Sequence, residues 1–188
     1  RKALKVMEGW ELDTKLSLNL SPHDIANDVL VLELFSIIEK SGIRPSRVGF
    51  ELTETALIQN FDTARRNIEL LRMSGIGVAL DDFGAGYSSL SHLHALPLDK
   101  LKIDRRFIAD VEHNETSRNI IRSVAGLCQD LGIECIVEGA ETQAQVDALG
   151  ALGCNFVQGY FYSRPLTTSQ LQDYFSSGES RSKMAAAA

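Results

Sequence analysis

The sequence predicts an α/β fold built on a parallel sheet, in one domain over residues 1–176. Three observations support this class. Six short apolar runs of strand-like composition alternate with helical patterns along the chain. No two of these runs are joined by a two-residue hairpin turn, which disfavours an antiparallel sheet. A length of 188 residues is enough to bury a sizeable core.

The predicted strands are short runs that end in polar residues. In chain order they are KLSLNLS, VGFELTE, GVALDDFG, LDKLKIDRRF, IECIVEGAE and NFVQGYFYS. The first helical pattern, SPHDIANDVLVLELFSIIEKSGI, begins with Ser21 as N-cap and Pro22 at the first helical position, and it stops at Gly42. We predict one continuous helix there.

Three more helical patterns follow. NFDTARRNIELLRMSG carries Ile68, Leu71 and Arg72 at helical spacing and stops at Gly75. TQAQVDALGALG is shorter. ETSRNIIRSVAGLCQDLG predicts a helix with one apolar face. The residues of that face are Ile120, Ile121, Val124, Leu127, Cys128 and Leu131.

The alternation leaves a choice between an open doubly wound sheet and a barrel. A dinucleotide-binding sheet needs a Gly-x-Gly-x-x-Gly turn after its first strand, and nothing after SLNLS supplies one. A complete (β/α) barrel needs eight units, and we count six. We therefore expect a TIM-like (β/α) barrel that is incomplete in this chain, with its first strands missing. Residues 177–188 are expected to form a flexible tail.

Composition excludes several functions. The formal net charge of −6 gives no broad basic surface for DNA, RNA or acidic membranes. Cys128, Cys135 and Cys154 lack metal-ligand spacing, so we interpret them as buried thiols in a reducing compartment. The longest apolar stretch contains acids and is too short to span a bilayer. We expect a cytoplasmic protein, or the cytoplasmic domain of a larger, membrane-anchored one.

Polar residues stand at the carboxyl ends of the predicted strands, where barrel enzymes place their working groups. Side-chain alternation supports this placement, since Leu18 and Leu20 face one way and Asn19 the other. The same alternation directs Lys102 into the barrel. The strand-end residues are Asn19, Glu51, Asp81, Asp82, Lys102, Glu138 and Gln158.

Several of these residues also have a purely structural interpretation. Asn19 and Gln158 suit turns, Glu51 and Glu54 suit a helix cap, and Lys102 could extend to solvent. Together, however, several carboxylates at one rim would repel one another without a cation. Carboxylate and amide oxygens favour Mg²⁺ or Mn²⁺, and the absence of histidine from the strand ends argues against zinc.

The two adjacent aspartates suit a pair of metal ions. Asp81 can bridge both ions while Asp82 reaches the second, as in two-metal phosphodiester hydrolysis. Metal-assisted enolisation on a barrel also uses acids and a lysine at strand ends. The residues alone therefore predict an oxygen-ligand site for divalent metal and leave the substrate open.

The motifs SLNLS, FELTETAL, ALDDFGAGYSSL, LKIDRRFI, IVEGAETQAQ and GCNFVQGYFYSRPL occur in this order over residues 16–166. In this combination the chain resembles the EAL-domain family of cyclic-di-GMP phosphodiesterases and their degenerate receptor relatives. The resemblance implies a TIM-like barrel that hydrolyses cyclic-di-GMP to linear pGpG with two Mg²⁺ or Mn²⁺ ions. It also implies a GGDEF or sensory domain in the parent protein. Apart from the resemblance, the larger and more loosely coordinated Ca²⁺ is expected to inhibit, and the strand edge left open in an incomplete barrel is expected to favour a homodimer.

The resemblance further implies roles for individual residues. The metal ligands would be Asn19, Glu51, Asp81, Asp82 and Glu138. The catalytic residues would be Lys102, which holds or activates the attacking water, with Glu138 and Glu54. The substrate-binding residues would be Gln158, Tyr162, Arg164 and Pro165. The loop-positioning residues would be Glu54, Gly84, Gly86 and Glu141.

The chain departs from the family at one point, since the Glu-x-Leu motif that names it is absent. The segment LELF at residues 32–35 lies inside a helical pattern and does not replace it. Three interpretations follow: part of a normal phosphodiesterase, a degenerate module that binds nucleotide or a protein partner, or an unrelated metal-dependent barrel enzyme. We rank the first highest because the downstream motifs are intact, and we expect this chain alone to be weakly active or inactive.

Overall fold

A computed structural model of the protein describes residues 1–8, 10, 14–54, 60–85 and 90–176. The chain divides into two compact units, Arg1–Leu101 and Lys102–Ala188. The predicted tail, residues 177–188, and the predicted loop residue Gly86 lie outside the described residues. Over the described ranges, six strands alternate with helices along the chain, as the sequence predicts.

The first unit contains three described strands, β1 (Leu16–Leu20), β2 (Val48–Thr53) and β3 (Gly77–Phe83). Its described α-helices are α1 (Lys2–Met7), α2 (Pro22–Ile25), α3 (Asp28–Lys40), α4 (Phe61–Met73) and α5 (Leu90–Ala95). A 3₁₀ turn at Pro45–Arg47 leads into β2. The next strand, β4 (Lys100–Ile103), runs through the boundary between the units.

The strands of the first unit pair in parallel, β1 with β2 and β2 with β3. Leu20 pairs with Leu52, and Leu52 pairs with Leu80, so these side chains share one face. That face is the core of the unit, because Leu52 and Leu80 are almost completely buried. The opposite face is left for polar side chains.

The predicted first helix is wrong in one respect, because the chain forms two helices there. Ser21 caps α2 as expected, but the chain leaves the helix after Ile25, and Asn27 caps α3 by accepting from Leu30 N–H. The buried Asn67 side chain on α4 supports the break. Its amide donates to the Ile25 carbonyl at 2.8 Å and to the Asp28 carboxylate at 2.9 Å.

A second contact ties the end of α4 to the start of β3. The Asp99 carboxylate accepts from Arg72 Nε at 3.1 Å and from the Val78 backbone N–H at 2.8 Å. The Asp99 N–H in turn donates to the Val78 carbonyl at 2.9 Å. Arg72 falls at the same helical spacing as the core residues Ile68 and Leu71. In the structure, its side chain is half-exposed and forms an ion pair with Asp99.

The second unit contains the parallel strands β5 (Glu134–Glu138) and β6 (Phe156–Gln158). Its described helices are a 3₁₀ turn at Arg105–Phe107, α6 (Glu115–Leu131), α7 (Gln143–Ala151) and α8 (Thr168–Ser176). The predicted apolar face of α6 is right at Ile121 and Cys128, which are buried, and wrong at Ile120, which is 36% exposed. Ile120 lies about 100° around the helix from Ile121, which turns it away from the buried stripe.

The three cysteines also lie in the second unit. Cys128 and Cys154 are buried, in agreement with the interpretation as buried thiols, whereas Cys135 is only half-buried. A hydrogen bond from Cys135 to Cys128 lowers the pKa of the Cys128 thiol and raises that of Cys135. Burial raises the pKa of Cys154 to about 12. Over the described part of the chain, no helix is both long and apolar enough to cross a membrane.

Candidate metal centre

Three oxygen donors lie on the polar face of the sheet in the first unit. Asn19 pairs directly with Glu51 across β1 and β2. Asp81 pairs with Thr53, which follows Glu51 by two residues and so faces the same way. Asn19 is exposed, and Glu51 and Asp81 are partly buried. The structure thus brings an amide and two carboxylates to one face at the carboxyl ends of neighbouring strands.

Asp82 has an unusual backbone conformation. Its φ angle is +54°, in the left-handed region that favours glycine. Among the residues that the structure describes, Asp82 is the one non-glycine residue in that region. Aspartate tolerates this region better than most residues because its short polar side chain bonds locally. Here the Asp82 N–H donates to Asp81 Oδ1 at 3.0 Å, and the Ala85 N–H donates to the Asp82 carbonyl at 3.0 Å. Gly84, at φ +92°, completes the turn.

The second unit contains a close ion pair. The Lys102 ammonium donates to Glu138 Oε1 at 2.7 Å, with the lysine side chain 5% and the glutamate side chain 19% exposed. The structural interpretation of Lys102 as a residue that extends to solvent is therefore wrong. A buried ammonium is retained because the carboxylate compensates its lost hydration.

Glu138 and Gln158 are direct partners across β5 and β6. The Gln158 side chain is exposed, and its backbone carbonyl accepts from Gly139 N–H at 2.7 Å and Ala140 N–H at 3.2 Å. The end of β5 is thus bonded to the end of β6 just where Glu138 meets Lys102.

The predicted substrate-binding residues near the end of the second unit surround two aromatic contacts. Tyr162 packs edge to face on Phe161 at 5.1 Å, and burial raises the pKa of its hydroxyl. Arg164 is exposed and lies 4.7 Å above the Tyr160 ring, while Pro165 is exposed. Tyr160 was missed from the sequence, because residues 160–164 form no helix in which a spacing of four would bring side chains together.

The predicted loop-positioning residues differ in environment. Glu54 is buried at 3% exposure directly after β2. Glu141 has an exposed side chain, and its backbone N–H donates to Gln145 Oε1 at 2.8 Å, which joins it to the capping of α7.

Comparison with known proteins identifies one family. The family model described as EAL domain matches residues 1–165. The uncharacterized protein y4lL of Sinorhizobium fredii is 38% identical over 187 residues, which are all of this chain and 22% of the relative. The cyclic di-GMP phosphodiesterase RocR of Pseudomonas aeruginosa is 38% identical over 161 residues, 86% of this chain and 41% of the relative. The chain spans less than half of the length of either relative.

Solved structures agree. The phosphodiesterase PaMucR, in complex with c-di-GMP, is 35% identical with a TM-score of 0.85, covering 90% of this chain and 76% of that one. The EAL domain of Mycobacterium smegmatis DcpA is 34% identical with a TM-score of 0.83, covering 94% and 78%. Klebsiella pneumoniae BlrP1, in a manganese and cyclic-di-GMP complex, is 36% identical with a TM-score of 0.80, covering 88% and 42%. The likeness confirms the predicted fold class.

Proposed function

The chain belongs to the EAL domain family, and from that premise we propose that it hydrolyses cyclic-di-GMP, opening one phosphodiester to give linear pGpG. The observation that carries the proposal is the row of oxygen donors on one sheet face, formed by Asn19, Glu51 and Asp81. Relatives named as cyclic di-GMP phosphodiesterases, such as RocR, support the choice of substrate.

The residues fit a divalent metal of the hard, oxygen-binding kind. Asn19, Glu51, Asp81, Asp82 and Glu138 all offer oxygen atoms, and we assign them as ligands of two Mg²⁺ or Mn²⁺ ions. When bound, such ions polarise a phosphate and lower the pKa of an attacking water. Asn19, Glu51 and Asp81 lie on the sheet face opposite the buried Leu52 and Leu80.

We assign Lys102 and Glu138 to the attacking water. The Lys102 ammonium, held at 2.7 Å from Glu138, donates a hydrogen bond to the water oxygen or to a phosphate oxygen. Glu138 takes the proton that the water loses as its oxygen bonds to phosphorus. The bond from phosphorus to one ribose oxygen then breaks, and that oxygen leaves as a hydroxyl after taking the proton that Glu138 accepted from the water. Such general-base steps contribute typically about 10²–10⁴-fold.

The remaining residues bind the dinucleotide or shape its surroundings. We assign the wall near a guanine base to Tyr162, Arg164 and Pro165, with Gln158 lining the reactive end. The exposed guanidinium of Arg164 suits an anionic or aromatic ligand. We assign Glu54 to holding the loop that begins at Asp82, because a buried carboxylate keeps fixed hydrogen-bond partners.

The test is direct. Protein, Mn²⁺ or Mg²⁺ and cyclic-di-GMP are incubated, and products are separated by chromatography. We expect pGpG with metal and none after chelation with EDTA. Because weak or no activity is expected of this chain alone, the parent protein is assayed beside it. Absence of pGpG from the parent protein at any concentration would overturn the enzyme proposal. Retained nucleotide binding without turnover would support a receptor in its place.

A further inference from the structure

The loops that follow β5 and β6 are bonded to each other in both directions. The Gln158 carbonyl accepts from the N–H groups of Gly139 and Ala140, and the Ala140 carbonyl accepts from Phe161 N–H at 2.9 Å. We call these three backbone hydrogen bonds the loop clamp. They surround the residue that directly follows Glu138.

Gly159 lies at the centre of the loop clamp with no space beside it. A Cβ atom placed there would collide with the oxygen and nitrogen of Ala140 and would lie 2.8 Å from its carbonyl carbon. All three are backbone atoms, which cannot turn aside as a flexible side chain would. The Gly159 backbone is outside the left-handed region, so glycine is required for close approach and not for conformation.

The other side of the same segment is equally confined. A Cβ atom on Gly139 would collide with the Cβ of Arg105 and would lie 3.3 Å from its Cα. Arg105 begins the turn that follows β4, two residues after Ile103. The backbone after Glu138 is therefore packed between the end of β6 and the turn that follows the strand of Lys102.

We propose that Gly159 is a positioning residue, which sets the Glu138 carboxylate against the Lys102 ammonium by letting the β6 loop close on Ala140. This inference rests on the proposed function for its effect on turnover. The contact it controls is 2.7 Å long and the lysine is almost completely buried. Displacing the end of β5 would therefore lengthen the contact, since Lys102 has little space in which to follow.

The test compares Gly159→Ala with Gly153→Ala. Gly153 has φ +83° and nothing within 4 Å of an added Cβ, so alanine there strains the backbone without touching the loop clamp. Amide exchange is followed by NMR at Gly139, Ala140 and Phe161, together with the side-chain ammonium signal of Lys102. In Gly159→Ala we expect exchange at these amides to rise at least about tenfold and the ammonium signal to broaden or vanish. In Gly153→Ala, the exchange rates of these amides and the Lys102 ammonium signal should match those of the unsubstituted protein.

Turnover supplies the second readout. Below the melting temperature of both variants, we expect kcat of Gly159→Ala to fall on the order of 10²-fold with KM changed by less than about threefold. Gly153→Ala should keep the parent kcat. Protected amides and an unchanged ammonium signal in folded Gly159→Ala would overturn the inference. An inactive parent protein would overturn the proposed function alone, because the NMR comparison does not depend on turnover.

If the Gly159→Ala protein fails to fold, a second variant tests the same inference. Phe161→Pro leaves Gly159 unchanged, removes the N–H that donates to the Ala140 carbonyl, and directs its ring Cδ toward that oxygen, so it opens the loop clamp from the other side. We expect the same loss of the Lys102 ammonium signal, with the amides of Gly139 and Ala140 exposed to exchange. A folded Phe161→Pro protein with an unchanged Lys102 signal would contradict the inference.

Discussion

At the residue scale, the contact between Lys102 and Glu138 is a buried ion pair of the second unit. Burying an ammonium costs several kcal/mol of hydration, and a carboxylate at 2.7 Å offsets that cost. The pair therefore adds little net stability, yet removal of either partner alone is costly. Stability and catalysis can be separated experimentally on this basis.

Lys102→Met should both destabilise the protein and abolish most turnover. Breaking a buried pair costs about 3–5 kcal/mol, and we expect the lower part of that range because Glu138 is 19% exposed. The double variant with Glu138→Leu should recover stability but not activity, as measured by urea unfolding and chromatography. Arg66→Met, which removes an exposed pair with Asp28 at 3.9 Å, is the matched control and should cost less than about 1 kcal/mol. Full activity in either Lys102 variant would exclude its catalytic role.

Cys154 should make stability depend on alkaline pH. Burial raises its pKa from 9.0 to about 12, so the folded chain holds a proton that the unfolded chain releases above pH 9.0. The stability is complete below that pH and falls as pH rises toward 12, by about 1.4 kcal/mol per pH unit for this one proton. Urea unfolding at pH 8, 9.5 and 10.5 should show a shallower decline for Cys154→Ala than for the parent. Parallel declines would mean that Cys154 titrates normally when folded.

At the element scale, the strands could be predicted because their information is local. Alternation in SLNLS and VGFELT places Asn19 and Glu51 opposite the core leucines without knowledge of the neighbours. The break between α2 and α3 could not be predicted, because Asn67, which supports it, lies 42 residues from Ile25. The ion-pair partner of Lys102 could not be predicted for the same reason, because Glu138 is distant in sequence and only folding brings it beside Lys102.

Asn67→Ala should loosen the junction between α2 and α3. The substitution leaves the buried Ile25 carbonyl without its 2.8 Å donor, which costs about 1–3 kcal/mol. Asn119→Ala, on the exposed surface of α6, is the matched control and should change stability by less than about 0.5 kcal/mol. Urea unfolding measures both. Equal effects would show that the Asn67 contacts contribute nothing beyond helix propensity.

At the scale of the whole molecule, an acidic chain with net charge −6 gathers carboxylates at the ends of its strands. Mutual repulsion among such groups is relieved by a bound cation, so metal binding and folding should be coupled. The neighbour BlrP1 was solved in both calcium and manganese complexes with cyclic-di-GMP. That neighbour therefore accepts either ion together with the dinucleotide.

Mn²⁺ and Ca²⁺ should both stabilise this protein, whereas only Mn²⁺ should support turnover. At a concentration 100-fold above Kd, a ligand of the folded state adds about 2.7 kcal/mol, or roughly 5–10 °C in Tm. The larger, more flexibly coordinated Ca²⁺ should align the attacking water poorly. Asp81→Asn keeps an oxygen for the Asp82 N–H, so it should fold normally while losing most of the metal-induced shift. An unfolded Asp81→Asn protein would instead make this residue structural.

The left-handed backbone at Asp82 decides how variants at that position must be interpreted. Alanine at position 82 would remove a carboxylate and also impose a backbone strain of roughly 1–2 kcal/mol. A loss of activity or stability in that variant could then come from either change. Asparagine keeps the conformational tolerance and changes only the charge. Glycine relieves the strain and removes the side chain. A saturation library at this position, sorted for folded protein, should consequently be rich in Asn and Gly and poor in Val and Ile. The backbone conformation at Asp82 therefore limits which substitutions can be assayed for activity.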